Sequence, residues 1–215
     1  MEIQSVIASV VLVSGILSLL CLLALHLVSP EFKPGWRMVS EYALGKYKWL
    51  LTLFFIFWSL SSLSSASLLW PLVTSIWARA GVLLIVVSGI GAFMGGLFDV
   101  NHKLHGLSAL LGIPTLPAGT LLISYHLITY EQWTIHRFAI LTAAHITWIS
   151  LVFMAISMMI LFSGFKKAGI PMGPGVKPPS TLPEGVTGIN GYANRILIVS
   201  QIGWLLVIAS IYLSL

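Results

Sequence analysis

Six stretches of about 20 mostly apolar residues, at positions 5–28, 49–70, 80–98, 106–128, 138–163 and 195–213, constrain this chain more than any other feature. Each is long enough to cross the hydrocarbon core of a bilayer as a helix. In lipid a backbone must satisfy its own hydrogen bonds, and an α-helix does so within one segment. Hydrophobic residues make up 58 % of the 215 and charged residues 8 %, against an apolar share of about 45–50 % in soluble domains. We therefore read an all-α polytopic membrane helix bundle of six transmembrane helices, forming one integral domain over residues 1–215. The start, Met-Glu-Ile-Gln, lacks the positive region of a signal peptide, and the run after it is too long for a signal core. It is expected to persist as the first helix.

The formal net charge of +5 does not point to nucleic acid, because the basic residues lie in connections beside apolar runs and form no basic helix or zinc-finger pattern. They report threading instead. With both termini outside, the first, third and fifth connections carry nine basic residues: Lys33, Arg37, Lys46, Lys48, Lys103, Lys166, Lys167, Lys177 and Arg195. The opposite side holds only Arg79 and Arg137. Positive charge favours the cytoplasm, so a multi-pass protein of the cell membrane with both termini outside is expected. Cys21, the sole cysteine, lies in the first run and reads as a small buried hydrophobe with no internal disulfide to make.

Local patterns add detail. The first connection mixes Phe32, Trp36, Tyr42 and Tyr47 with basic residues, as a headgroup-level segment does; it is read as a short interfacial helix around residues 40–45 or as a plain anchored loop. Ser59, Ser61, Ser62, Ser64, Ser65 and Ser67 crowd the second run, and Gly89, Gly91, Gly95 and Gly96 the third, which suits close helix packing in lipid. Gly112, Pro114, Pro117 and Gly119 should kink or break the fourth helix. Residues 165–194, with Pro171, Pro174, Pro178, Pro179 and Pro183, read as an irregular cytoplasmic loop, too short for a second domain. No internal repeat is visible, which argues against an inverted-repeat transporter.

The chemistry concentrates near residues 99–106. Sorted by expected depth, His26, Glu41, Asp99, His102, His105 and Arg195 fall toward the cytoplasmic face; His126, His136 and Glu131 fall toward the other; and His145 lies inside the fifth helix. Were the helix to continue through residues 99–105, Asp99, His102 and His105 would share a face at i, i+3, i+6 spacing. With His26 or Glu41 they would make a nitrogen and oxygen ligand set for zinc with an open position for water. The competing reading is a polar connection meeting water, with Asp99 capping the fourth helix or pairing with Arg195. Haem would need paired histidines at matched depth, for which His126 with His145, or His26 with His102 or His105, are the available sets. His145 by itself reads as a neutral imidazole bonded to a neighbour. No serine elbow, P-loop or dinucleotide fingerprint is present.

Several stretches in order, Leu25-His26-Leu27-Val28-Ser29-Pro30-Glu31-Phe32, Ser40-Glu41-Tyr42-Ala43-Leu44-Gly45, Gly96-Leu97-Phe98-Asp99, Leu104-His105-Gly106 and Asn194-Arg195-Ile196 leading to Trp204, resemble the prokaryotic membrane proteins grouped as domain-of-unknown-function family 998. The chain departs from that pattern at His102, an extra histidine, and at Asn194, where an acidic residue is expected. The resemblance implies a compact six-helix membrane protein in which His26, Ser40, Glu41, Asp99, His105 and Arg195 form the site. It implies no reaction. Three functions stay open: binding of a membrane lipid or a small apolar or amphipathic ligand at the cytoplasmic polar cluster; metal-dependent lipid hydrolysis, with zinc on Asp99, His102 and His105 and Glu41 as catalytic base; and haem-based electron transfer.

Overall fold

The computed structural model describes residues 2–171, 179 and 181–215; Pro174, Lys177 and Pro178 lie outside the described residues. The chain forms α1 (Glu2–Val28), α2 (Lys48–Leu69), α3 (Ile76–Leu97), α4 (His105–Gly112), α5 (Thr115–Leu127), the single turn α6 (Glu131–Thr134), α7 (Arg137–Lys167) and α8 (Asn190–Ser214). Two 3₁₀ turns, Val39–Leu44 and Trp70–Leu72, sit before and after α2, and no strand occurs among the described residues. Six helical segments are long and apolar enough to cross a membrane, α4 and α5 together making the fourth. The expected all-helical bundle of six spans is thus observed.

The spans form a ring in chain order. α1 packs on α2, α2 on α3, α3 on α4 and α5, α5 on α7, and α7 on α8, which closes against α1. α2 and α8 are the best buried and α7 the least. Between helices in lipid there is little hydrophobic drive, so close approach and polar contacts hold the ring together. Ser18 Oγ donates to the Phe54 carbonyl and Ser61 Oγ to that of Val11, joining α1 to α2. Thr120 and Thr147 link α5 to α7, Ser150 and Ser200 link α7 to α8, and Trp204 Nε1 donates to Ser124 Oγ across α8 and α5. At Gly91 a methyl group would fall within contact of the Gly112 and Leu111 backbone, so only glycine admits α4 this close to α3.

The proline-rich fourth span breaks as expected, at residues 113–114 between α4 and α5. Pro117 has no N–H to give the carbonyl four residues before it, that of Ile113, and α8 supplies the missing donor: Gln201 Nε2 reaches the Ile113 oxygen at 2.9 Å. Ser88 Oγ on α3 donates to the neighbouring Gly112 oxygen at 2.9 Å. A broken helix inside a bundle is stable on this condition, that neighbours satisfy the freed carbonyls. Gln201→Met and Ser88→Ala are each expected to cost about 1 kcal/mol, read by denaturation of the solubilised protein. Gln201→Met should be the milder, because it also removes an amide oxygen that is buried without a partner.

Candidate functional site

The first, third and fifth connections meet at one end of the bundle, the end that carries nearly all the basic residues. The first connection is partly folded into the protein, with Pro30, Glu31, Lys33, Leu44 and Lys46 exposed and Tyr47 half-buried. Its Phe32, Trp36 and Tyr42 rings are buried in protein, where headgroup-level rings had been expected. A loop buried this way must find partners for its backbone groups. α8 provides them in its first two turns: Asn190 Nδ2 donates to the Trp36 carbonyl at 2.8 Å, the Gly191 N–H to that of Gly35 at 3.0 Å, and Asn194 Oδ1 accepts from the Val39 N–H at 2.9 Å. Gly191 is glycine because a Cβ there would meet the Pro34 and Arg37 carbonyl oxygens.

Arg195 completes this clamp. Its Nη1 donates to the carbonyls of Arg37 at 2.7 Å, Gly191 at 2.9 Å and Pro34 at 3.3 Å, and its Nη2 to the Tyr42 hydroxyl at 3.2 Å. Nε donates to His26 Nε2 at 2.6 Å. That nitrogen therefore carries no proton, while His26 Nδ1 donates to the Leu22 carbonyl at 2.6 Å. The imidazole is neutral, with both nitrogens engaged. Among the described residues no carboxylate pairs with Arg195; the guanidinium is held by dipoles and by the Tyr42 ring face, 5.8 Å from its carbon.

Glu41 stands beside this cluster in the 3₁₀ turn. Its Oε2 accepts from the Met38 N–H at 2.7 Å and lies 3.3 Å from Arg37 Nε. Burial pushes its carboxyl above the usual glutamate range, against the opposing pull of Arg37, the Met38 N–H and Arg195. A raised folded-state value means that the folded protein binds the proton more tightly than the unfolded chain. Its contribution to stability is full below the unfolded-state value and is lost as pH rises through the folded one. Lowering the pH from neutral into the carboxylate range should therefore raise the Tm of the natural protein relative to Glu41→Gln. Equal slopes in the two proteins would show that Glu41 is not the group responsible.

Asp99 and the nearby histidines do not assemble. The helix does not continue through residues 99–104, which form turns and a bend before α4 starts at His105, so the proposed shared face is absent. Asp99 bonds Lys48 Nζ at 2.6 Å and caps its own turn by accepting from the Asn101 N–H at 3.0 Å. The Lys48 ammonium holds its carboxyl below the usual range. It pairs with neither Arg195 nor the fourth helix. His102 stacks on Phe98 at 4.5 Å and accepts from the Leu104 N–H, and His105 Nδ1 donates to the Phe98 carbonyl at 3.1 Å. Among the described residues no group of three His, Cys, Asp or Glu side chains is placed to hold a metal ion. The residues present therefore do not fit the zinc site expected on Asp99, His102 and His105. Haem fits no better on the expected pairs. His126 Nε2 is engaged by the Thr74 N–H and Tyr130, and His145 bonds Tyr125 through Nε2 and Trp148 through Nδ1.

Two of the anticipated residues, Ser40 and His105, do meet, on a cavity of about 90 Å³ between α2, α3, α4, α8 and the first connection. Phe55, Gly91, Gly95, Ala109, Leu197 and Ile198 give it apolar walls, and Trp58, Ser108 and Asn194 complete its polar rim. Several of these polar groups have hydrogen-bonding capacity that the described residues leave unused. Ser40 Oγ and the Asn194 amide nitrogen make no hydrogen bond, and His105 Nε2 has no partner. His26, Glu41 and Arg195 stand behind this wall, holding the loop that supplies Ser40, and Asp99 lies at the surface. Trp58 and Asn194 are site residues that sequence reasoning missed. A polar series at the start of the last apolar run, Asn190, Asn194 and Arg195, was the available signal for the clamp.

A family profile described as "Protein of unknown function (DUF998)" matches residues 12–211. Neither the curated proteins nor the solved structures contain a match. Six apolar spans, an ordered basic end and a match that runs from the first helix through the last agree on one assignment: this integral membrane protein belongs to the DUF998 family, whose function is unknown.

Proposed function

We propose that this is a multi-pass protein of the cell membrane that binds a small amphipathic molecule or lipid in the cavity bordered by Ser40 and His105, on the cytoplasmic side. The observation behind this reading is unspent hydrogen-bonding capacity facing an apolar space. Ligand sites are concave, mostly apolar and carry a few convergent polar groups. Ordinary interiors, by contrast, pair nearly all of their buried polar atoms. The cytoplasmic assignment follows from basic residues at the end where the cavity lies. Reporter fusions within the first connection and beside Lys103 should both report the cytoplasm.

The test of binding is mass spectrometry of gently extracted protein. The natural chain should carry a small molecule that Ala109→Leu, which fills the cavity from α4, releases. The same molecule bound equally by both proteins, or none bound by either, would remove this reading.

A further inference from the structure

Resting on that binding site, the geometry points to a ligand that is uncharged and ends in a hydroxyl group. Among the described residues no Asp, Glu, Lys or Arg lines the cavity. The nearest charges are already committed: Glu41 to Arg37 and the Met38 N–H, Arg195 to His26, Tyr42 and three carbonyls, and Lys48 to Asp99. An ionic head in this space would be stripped of water with no counter-ion, which low-dielectric surroundings penalise heavily.

The unspent groups narrow the class further, because they are of both kinds. His105 Nδ1 carries a proton, since it meets the Phe98 carbonyl, so in the neutral ring Nε2 is an acceptor and takes a donor from the ligand. Asn194 Nδ2 is a donor and requires an acceptor. Ser40 Oγ serves either way. Against the neutral ring a carboxylate, which only accepts, would set its oxygens on the His105 lone pair; an ammonium only donates and would face Asn194 Nδ2. A ketone or ester satisfies the donors but leaves His105 bare. A hydroxyl donates once and accepts twice, matching the whole set, and the space takes on the order of half a dozen water-sized groups, enough for such a head. Phe55, Leu197 and Ile198 then meet the first part of an apolar chain.

Binding of dodecanol, dodecanoate and dodecylammonium to the protein in nanodiscs, read by thermal shift over a concentration series, tests this. Dodecanol should raise the Tm and bind at least about tenfold more tightly than either charged probe. Ser40→Ala removes only a hydroxyl that makes no hydrogen bond in the free protein, so the variant should fold, and it should weaken dodecanol several-fold. If a charged probe matches dodecanol and Ala109→Leu abolishes both, the cavity binds ligands but the hydroxyl assignment fails. Dodecanol binding unaffected by Ser40→Ala would overturn the head-group contacts. If no probe binds to the natural protein, or all bind equally to Ala109→Leu, the cavity reading falls and this inference with it.

Discussion

Replacing Arg195 by methionine should lower the unfolding free energy by about 3 kcal/mol or more, the largest single-residue loss expected in this protein outside steric clashes. Methionine keeps much of the volume, so the loss isolates the hydrogen bonds. Without the guanidinium the Pro34 and Arg37 carbonyls, the Tyr42 hydroxyl and His26 Nε2 are stranded in a buried region, and each orphaned polar group costs about 1–3 kcal/mol. Part of that is recovered because Arg195 is itself a buried cation without a carboxylate partner, and its removal spares the desolvation. Arg195→Lys should rescue only a fraction, since one ammonium cannot reach His26 and the carbonyls from the same point. The first connection should also become sensitive to protease in Arg195→Met while the spans stay helical by circular dichroism. A loss below about 1 kcal/mol with the connection still protected would mean that Asn190, Gly191 and Asn194 hold it without Arg195.

Gly91→Ala is expected to cost about 1–3 kcal/mol although it adds only a methyl group to a helix, where alanine is intrinsically favoured. That methyl would lie 2.7 Å from the Gly112 Cα and 2.8 Å from the Leu111 carbonyl carbon, both backbone atoms that no rotamer change can move. α3 and α4 must separate, and both line the cavity, so ligand binding should weaken along with stability. Gly203→Ala on α8 is the control. Nothing stands within 4 Å of its Cβ position, and alanine there should be neutral or stabilising by up to about 1 kcal/mol. Similar Tm values for the two variants would show that the α3–α4 contact yields without penalty.

The site was only partly legible in advance, and particular residues show why. Ser40 and His105 came from short ordered stretches resembling a family, and the structure sets both on one cavity. Asp99 was a candidate ligand by spacing, but spacing assumes a helix, and residues 99–104 turn back before one starts. Arg195 invited a carboxylate partner, yet its partners are carbonyls, a tyrosine and a neutral histidine, because the buried loop around residues 34–39 has more acceptors than its own backbone can satisfy. Trp58 gave no signal at all: one tryptophan in an apolar run reads the same whether it faces lipid, a neighbour or a cavity.

The number of spans, their bounds to within a few residues, the break in the fourth and the basic end of the bundle all follow from the sequence, since each depends on local hydrophobicity, proline or charge. Which face of each helix turns inward does not. A helix bathed in lipid is apolar all round and carries no amphipathic stripe to show its rotation. Only packing decides that rotation, and with it whether Arg195 meets His26, whether Gln201 reaches the carbonyl that Pro117 leaves open, and which polar groups are left facing an empty apolar space.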